Sequence, residues 1–169
     1  RFNAWGGKFP WEKDDALNQH LAVAGCFGDT PLEKVDFVLE GGSIESDGKG
    51  TVMVTSECLM TPTRNPDYDR AGIEALLDET LGARRVLWLN HGYLAGDDTD
   101  SHIDTLARFC ATDHICYVAC PDVADEHYSA LAAMEEELQE FRQADGSPYK
   151  LTPLPWPDAI YDQDGERLP

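Results

Sequence analysis

Two hydrophobic periods alternate along the chain, and each change of period marks the edge of an element. Leu17, Leu21 and Ala24 recur at helical spacing, which predicts a short helix over residues 14–24 that stops at Gly25. Residues 35–40, Val-Asp-Phe-Val-Leu-Glu, read as a strand ended by Gly41-Gly42. Strand-like segments 43–46 and 51–56 flank Asp47-Gly48-Lys49-Gly50, and Asp-Gly between two such segments is a strong hairpin signal. Ile73, Leu76, Leu77 and Leu81 then line one face of a helix running from residue 66 or 67 to 81, with Gly82 just past its end. Arg85-Val86-Leu87-Trp88-Leu89 follows as an apolar run of the buried-strand type, closed by Asn90-His91-Gly92.

The same order then returns. Residues 102–109 read as an extended segment, 115–119 as a strand after the turn at Thr112-Asp113, and 125–141 as a helix. On that helix Leu131, Met134, Leu138 and Phe141 align, while Glu135, Glu136, Glu137 and Glu140 are placed toward water. A closing strand is expected at Lys150–Leu154, after Asp145-Gly146-Ser147-Pro148. Hairpin, helix and strand thus occur twice, preceded by the helix-strand end of an earlier copy, giving units of about 1–40, 43–90 and 102–154. A period of roughly fifty residues built from such units points to a closed or stacked repeat. The expected class is α/β: a propeller-like ring, with an ordinary α/β sandwich as the alternative. In a ring, the loops after the closing strands converge on the axis, which pairs Glu40 with the acidic stretch that follows residue 96.

The ends differ from these units. Residues 1–11 hold three large aromatics, two glycines and a proline, suiting a loop that carries aromatics near a ligand or plugs the edge of a core. Residues 155–169 are rich in proline and charge and have little apolar content, so they read as a linker onward. With 32 acidic against 13 basic residues, the formal charge is −19. Such a surface repels nucleic acid and anionic membranes and attracts small cations. The five cysteines lie beside apolar residues and form no C-x-x-C pair, which predicts buried, reduced thiols in a cytoplasmic protein without a structural zinc site.

Chemistry concentrates in Asp97-Asp98-Thr99-Asp100-Ser101-His102-Ile103-Asp104, four carboxylates and one imidazole. These residues suit a cation site or a proton-transfer site. In an extended segment, His102 and Asp104 would share one face. Glu40, held in a Gly-Gly turn, could orient that histidine or accept a hydrogen bond from substrate. A guanidinium, with its fixed fork of donors, is a natural guest for paired carboxylates. The alternative is a hard-cation site built from Asp98, Asp100, His102 and Asp104.

Three separated motifs carry a family resemblance. Phe2-Asn3-Ala4-Trp5-Gly6-Gly7-Lys8, then Val38-Leu39-Glu40-Gly41-Gly42-Ser43-Ile44 with Asp47-Gly48-Lys49-Gly50-Thr51, then the stretch from Asp98 to Phe109 resemble the agmatine deiminases. This group includes the Porphyromonas-type peptidyl-arginine deiminases of the guanidine-modifying superfamily. The resemblance implies a pentein α/β propeller, of which the chain is part of the ring. It implies His102 as general acid/base, Asp104 as a carboxylate gripping the guanidinium and Glu40 as the active-site glutamate. Asp98 becomes a further pocket acid and Trp5 an aromatic at the pocket rim. The implied reaction converts agmatine to N-carbamoylputrescine and ammonia through an amidino-cysteine, with no cofactor and no metal; peptidyl-arginine or arginine is the alternative substrate. The implied partner is a small cationic guanidine, with homo-oligomers common in the group. The family nucleophile sits in a Gly-Gly-Gly-Asn-x-His-Cys stretch and a second aspartate in Arg-Asp-x-Gly-Pro, and neither is found here. The chain is therefore expected to be the middle of such an enzyme and inactive by itself, or else a binding fragment that keeps the pocket without the reaction.

Overall fold

Six strands form two separate three-stranded sheets in the computed structural model, which describes residues 1–165. In the first sheet β1 (Glu45–Ser46) runs antiparallel to β2 (Thr51–Thr55), and β2 runs parallel to β3 (Arg85–Leu89). The second repeats the pattern with β4 (Ala107–Ala111), β5 (His114–Val118) and β6 (Lys150–Leu154). Each parallel step is bridged by a long helix, α1 (Arg70–Leu81) or α2 (Tyr128–Glu140). The expected hairpin, helix and strand order is thus present twice in a mixed α/β fold.

Burial explains why β2 carries no polar alternation. Every residue of β2 is buried because the first sheet is covered on both faces. Val52, Val54 and Trp88 pack with Ile73 and Leu77 of α1. Met53, Leu87 and Leu89 face the other way, onto Leu131, Met134 and Leu138 of α2. Helix α2 therefore joins the two units, and the loop leaving β3 is fixed against it. Glu137 accepts from the backbone N–H groups of Asn90 and His91 at 2.8 and 3.1 Å, so it is a structural acceptor and not a solvated charge. Glu45 joins the sheet edges by accepting from Arg108 Nε at 2.7 Å and from the Phe109 N–H at 2.9 Å.

Several expectations need correction. Residues 35–40 form no regular strand: Phe37 to Glu40 are buried or half-buried, and they lie between the backbone of Arg1, which donates to the Phe37 carbonyl at 2.7 Å and accepts from the Leu39 N–H at 3.2 Å, and a side chain. Asn65 accepts from the Val38 N–H at 2.8 Å and donates to the Val38 carbonyl at 3.0 Å, completing both halves of a ladder pair. Helix α1 starts at Arg70 because Asp69 caps it, accepting from the Gly72 N–H at 2.8 Å. Helix α2 starts at Tyr128, since Asp125 binds His127 just before it. The predicted helix over 14–24 is two short pieces, Glu12–Asp15 and Leu17–Val23, with no buried residue in either. Residues 102–109 are not extended throughout, since Ile103–Leu106 form a helical turn before β4.

Nor is the tail free of the core, because Trp156 packs onto it with its ring 5.0 Å from that of His127; residues 166–169 of the predicted linker lie outside the described residues. Of the cysteines, Cys58 and Cys120 are buried, Cys116 is half-buried and Cys26 and Cys110 are exposed. A bulge between Phe109 and Ala111 carries Cys110 to within 2.8 Å of Cys116, sulfur to sulfur. Among the described residues no helix is long and apolar enough to cross a membrane.

Asn65→Leu should destabilise the fold by at least about 2 kcal/mol, because it orphans buried backbone groups of Val38 and Leu59. Urea unfolding of the purified protein measures this, and an unchanged midpoint would remove Asn65 from the role of a surrogate strand.

Candidate active site

Glu40 ends the extended segment and enters a tight turn, Gly41–Ser43, in which Ser43 donates to its carbonyl from both N–H and Oγ. This turn leaves the Glu40 side chain inward and 5% exposed. Gly42 makes the site possible. A Cβ there would stand 2.6 Å from His102 Nδ1 and 2.7 Å from an Asp104 carboxylate oxygen, closer than side chains approach one another. His102 and Asp104 therefore converge on the bare face of Gly42. They do so from a helical turn and not from a strand: the Thr105 N–H and hydroxyl both donate to the His102 carbonyl and close that turn.

The acidic loop is shaped by its own side chains. Asp97 accepts from the backbone N–H groups of Thr99 and Ser101 at 2.9 and 2.7 Å. Asp100 and Ser101 take positive φ, 62° and 60°, a conformation that costs energy for residues with side chains. Thr55, at the end of β2, donates to the Ser101 carbonyl at 2.6 Å and ties the loop to the sheet. Upstream, the Ala95 N–H donates to His127 Nε2 at 2.9 Å, and His127 Nδ1 meets Asp125 at 2.6 Å. His127 thus has its Nδ1 protonated and its Nε2 accepting.

A second left-handed segment lies alongside. Ala4, Trp5, Gly6 and Gly7 all have positive φ. Asn3 holds this turn by accepting from the Gly6 N–H at 3.0 Å while donating to the Thr63 carbonyl at 2.9 Å. Trp5 packs edge-on between Phe2 and Phe9. The turn delivers Lys8 to the acidic loop, where it contacts the Asp98 carbonyl and pairs with Asp100 at 2.7 Å.

Between these segments lies a residue the sequence reading did not single out. The Arg64 side chain is fully buried. Its Nε donates to both Glu40 oxygens at 2.9 and 3.1 Å, Nη1 to Asp100 at 2.7 Å and Nη2 to the Thr99 carbonyl at 2.7 Å. Burial pushes the Glu40 carboxyl upward, but contacts with His102 and Arg64 outweigh it and hold the group below the usual carboxylate range. Burial likewise acts upward on Asp100, where Lys8 and Arg64 reverse the direction. The signal available in sequence was an arginine set between Pro62 and Pro66, with an adjoining asparagine, in a chain holding few cations.

His102 Nε2 lies 3.6 Å from Glu40 Oε2, beyond hydrogen-bond reach, and is buried without a hydrogen-bond partner among the described residues. Cys58 is also present, with Sγ 4.0 Å from Glu40 Oε2. Burial pushes its thiol up to about 12, so it is neutral at ordinary pH and a poor nucleophile. Glu40, Cys58 and His102 place possible ligand atoms within 4.8 Å of one another. The Arg64 cation already occupies Glu40, however, and a neutral thiol is a poor ligand, so this set does not fit a metal ion.

Of the residues read from sequence, Glu40, His102 and Asp104 are brought together around Gly42. Trp5 is half-buried on the neighbouring turn. Asp98 is exposed, and its carboxylate has no hydrogen-bond partner among the described residues. The alternative quartet of Asp98, Asp100, His102 and Asp104 is not a ligand cluster, since Asp100 is committed to Arg64 and Lys8. Asp97 and Asp100 are a turn cap and an ion-pair partner.

Known proteins share this arrangement of chain. The agmatine deiminase of Stutzerimonas stutzeri is 36% identical over 171 residues, covering 98% of this chain and 45% of that protein. The substrate-bound agmatine deiminase of C. jejuni superposes with a TM-score of 0.87 at 41% identity, covering 99% of this chain and 47% of its own. A crystal structure assigned to the peptidyl-arginine deiminases gives a TM-score of 0.93 at 52% identity, covering 99% and 50%. The chain thus spans about half the length of the relatives it matches. The family model for Porphyromonas-type peptidyl-arginine deiminases matches residues 1–169, and the chain belongs to that family.

Proposed function

We propose that this chain supplies the acid/base half of a deiminase site that converts agmatine to N-carbamoylputrescine and ammonia. The observation that carries the reading is His102 Nε2, a buried ring nitrogen beside Glu40 that no group of the described chain satisfies. Such an atom is available to a substrate, and its proton can go to a leaving amine. The Asp104 carboxylate, on the same face of Gly42, suits two N–H groups of a guanidinium. Asp98 and Trp5 are assigned to the pocket beyond it, and the charge of −19 draws a small dication toward it.

In this reading a cysteine thiolate attacks the guanidinium carbon, and ammonia leaves with a proton from His102. The carbon is then an amidino group on sulfur. Water attacks it, returning a proton to His102, and the thiolate departs to leave the ureido product. Cys58 does not serve as that nucleophile, since it is buried, neutral and beneath Glu40. The nucleophile is assigned to sequence beyond this chain, in a five-bladed pentein ring whose blades include the two units described. The site needs no cofactor, and the protein is placed in the cytoplasm. Peptidyl-arginine is the competing substrate, carried by the name of the family.

Ammonia release by the full-length protein from agmatine and from an arginine peptide tests the reading. His102→Ala and Asp104→Asn should each lower turnover by about 10²–10⁴-fold without altering thermal unfolding. Wild-type turnover in His102→Ala removes the assigned role, and a preference for the peptide moves the substrate to the alternative. Gly42→Ala should also abolish turnover by displacing His102 and Asp104, and an active variant would show that their convergence on Gly42 is dispensable. Iodoacetamide should leave Cys58 unmodified in the native protein and label it after unfolding. Native labelling of Cys58 with loss of activity would instead make it a candidate nucleophile.

A further inference from the structure

The Arg64 network goes further than the residues already given roles. Lys8, Asp100, Arg64 and Glu40 form a continuous chain of ion pairs that ends against His102. Its members come from four segments distant in sequence: the left-handed turn, the segment ending at Glu40, the stretch ahead of α1 and the acidic loop. The Arg64 guanidinium is fully buried and commits each of its nitrogens to the network, leaving it no part of a substrate to touch. A planar fork can do this and a lysine cannot, because one ammonium cannot reach a carboxylate, a second carboxylate and a carbonyl in fixed directions.

We propose that Arg64 is a positioning residue, locking the Glu40 carboxylate against His102 and tying it through Asp100 to the loop that carries His102. Glutamate and histidine are then held as one rigid pair, and Asp100, paired on its outer side with Lys8, anchors the lock. The groups facing Glu40 are Arg64, His102 and Cys58. Those facing Arg64 are Glu40, Asp100 and Cys58, while Asp104 adjoins His102 across Gly42. With Arg64 in place, Glu40 stays ionised below the usual carboxylate range. Neutralising Arg64 leaves burial less opposed, so Glu40 takes up its proton at higher pH, and a step that needs its ionised form fails at higher pH too.

The proposal rests on the deiminase reading, so its test combines kinetics with a readout that needs no turnover. In the full-length enzyme with agmatine, Arg64→Gln should lower kcat about 10²-fold with KM little changed. The acid limb of kcat/KM should move to higher pH. Arg64→Lys should restore that limb while leaving kcat low, and Asp100→Asn, at a side chain 29% exposed, should give a smaller change in the same direction. Unchanged kcat and acid limb in Arg64→Gln and Asp100→Asn would overturn the proposal, as would a raised KM with kcat unchanged, which would mean substrate binding. Should Arg64→Gln fail to fold, Arg64→Lys and Asp100→Asn are judged by the same criteria.

Carboxyl ¹³C titration of Glu40 in wild type and Asp100→Asn separates the two readings. An upward move in Asp100→Asn supports the lock even if wild type does not act on agmatine, in which case the deiminase reading alone falls. No move overturns the lock even if turnover is robust.

Discussion

A buried guanidinium has to be met by acceptors on all sides, and in this chain that requirement brings the site together. Leaving Arg64 unpaired would be far more costly than any single turn or cap. Glu40, Asp100 and the Thr99 carbonyl must therefore be where they are, and the segments carrying them must follow. The positive φ of Asp100 and Ser101, costly by itself, is tolerated because Asp97 and Thr55 hold the backbone in that shape. The extended segment before Glu40 depends on the same stretch of chain: Asn65, the neighbour of Arg64, supplies the strand pairing that Val38 otherwise lacks.

The secondary structure was largely readable because its causes are local. Short β-branched and apolar runs at 51–55 and 85–89, Asp-Gly at the hairpin and Gly82 after α1 act within a few residues of one another. The misplaced elements were those whose partner is remote. Residues 35–40 look like a strand, yet Val38 pairs with the side-chain amide of Asn65, and the backbone of Arg1 bonds Phe37 and Leu39 on either side of it. Residues 102–106 read as extended, but Thr105 donates back to the His102 carbonyl and coils them. Trp156 looked like part of a linker because its packing partner, His127, is 29 residues away.

At the site, the residues with chemistry were legible and those that hold them were not. His102, Asp104 and Glu40 stand out as a histidine and carboxylates beside glycines, and the fold brings them around Gly42. Arg64 was marked in sequence by little more than its place between Pro62 and Pro66, because its role is defined by two carboxylates 24 and 36 residues off. The family resemblance singled out Asp98 among the loop aspartates as a pocket acid and gave Asp97 and Asp100 no such role. Hydrogen bonding separates them: Asp97 caps its own loop, Asp100 pairs with cations and Asp98 is left exposed.

Stabilisation and chemistry are thus carried by different parts of one small region. Burial drives the Cys58 thiol to about 12 and silences it, while the same burial leaves His102 Nε2 without a hydrogen-bond partner among the described residues. Under the proposed function the covalent step uses a sulfur other than the five in this chain, none of which lies in a Gly-Gly-Gly-Asn-x-His-Cys stretch. Peptide mapping of the full-length enzyme, acid-quenched during turnover of agmatine, measures this directly. The account predicts an amidino adduct on a cysteine outside Cys26, Cys58, Cys110, Cys116 and Cys120, and an adduct on any of those five would contradict it.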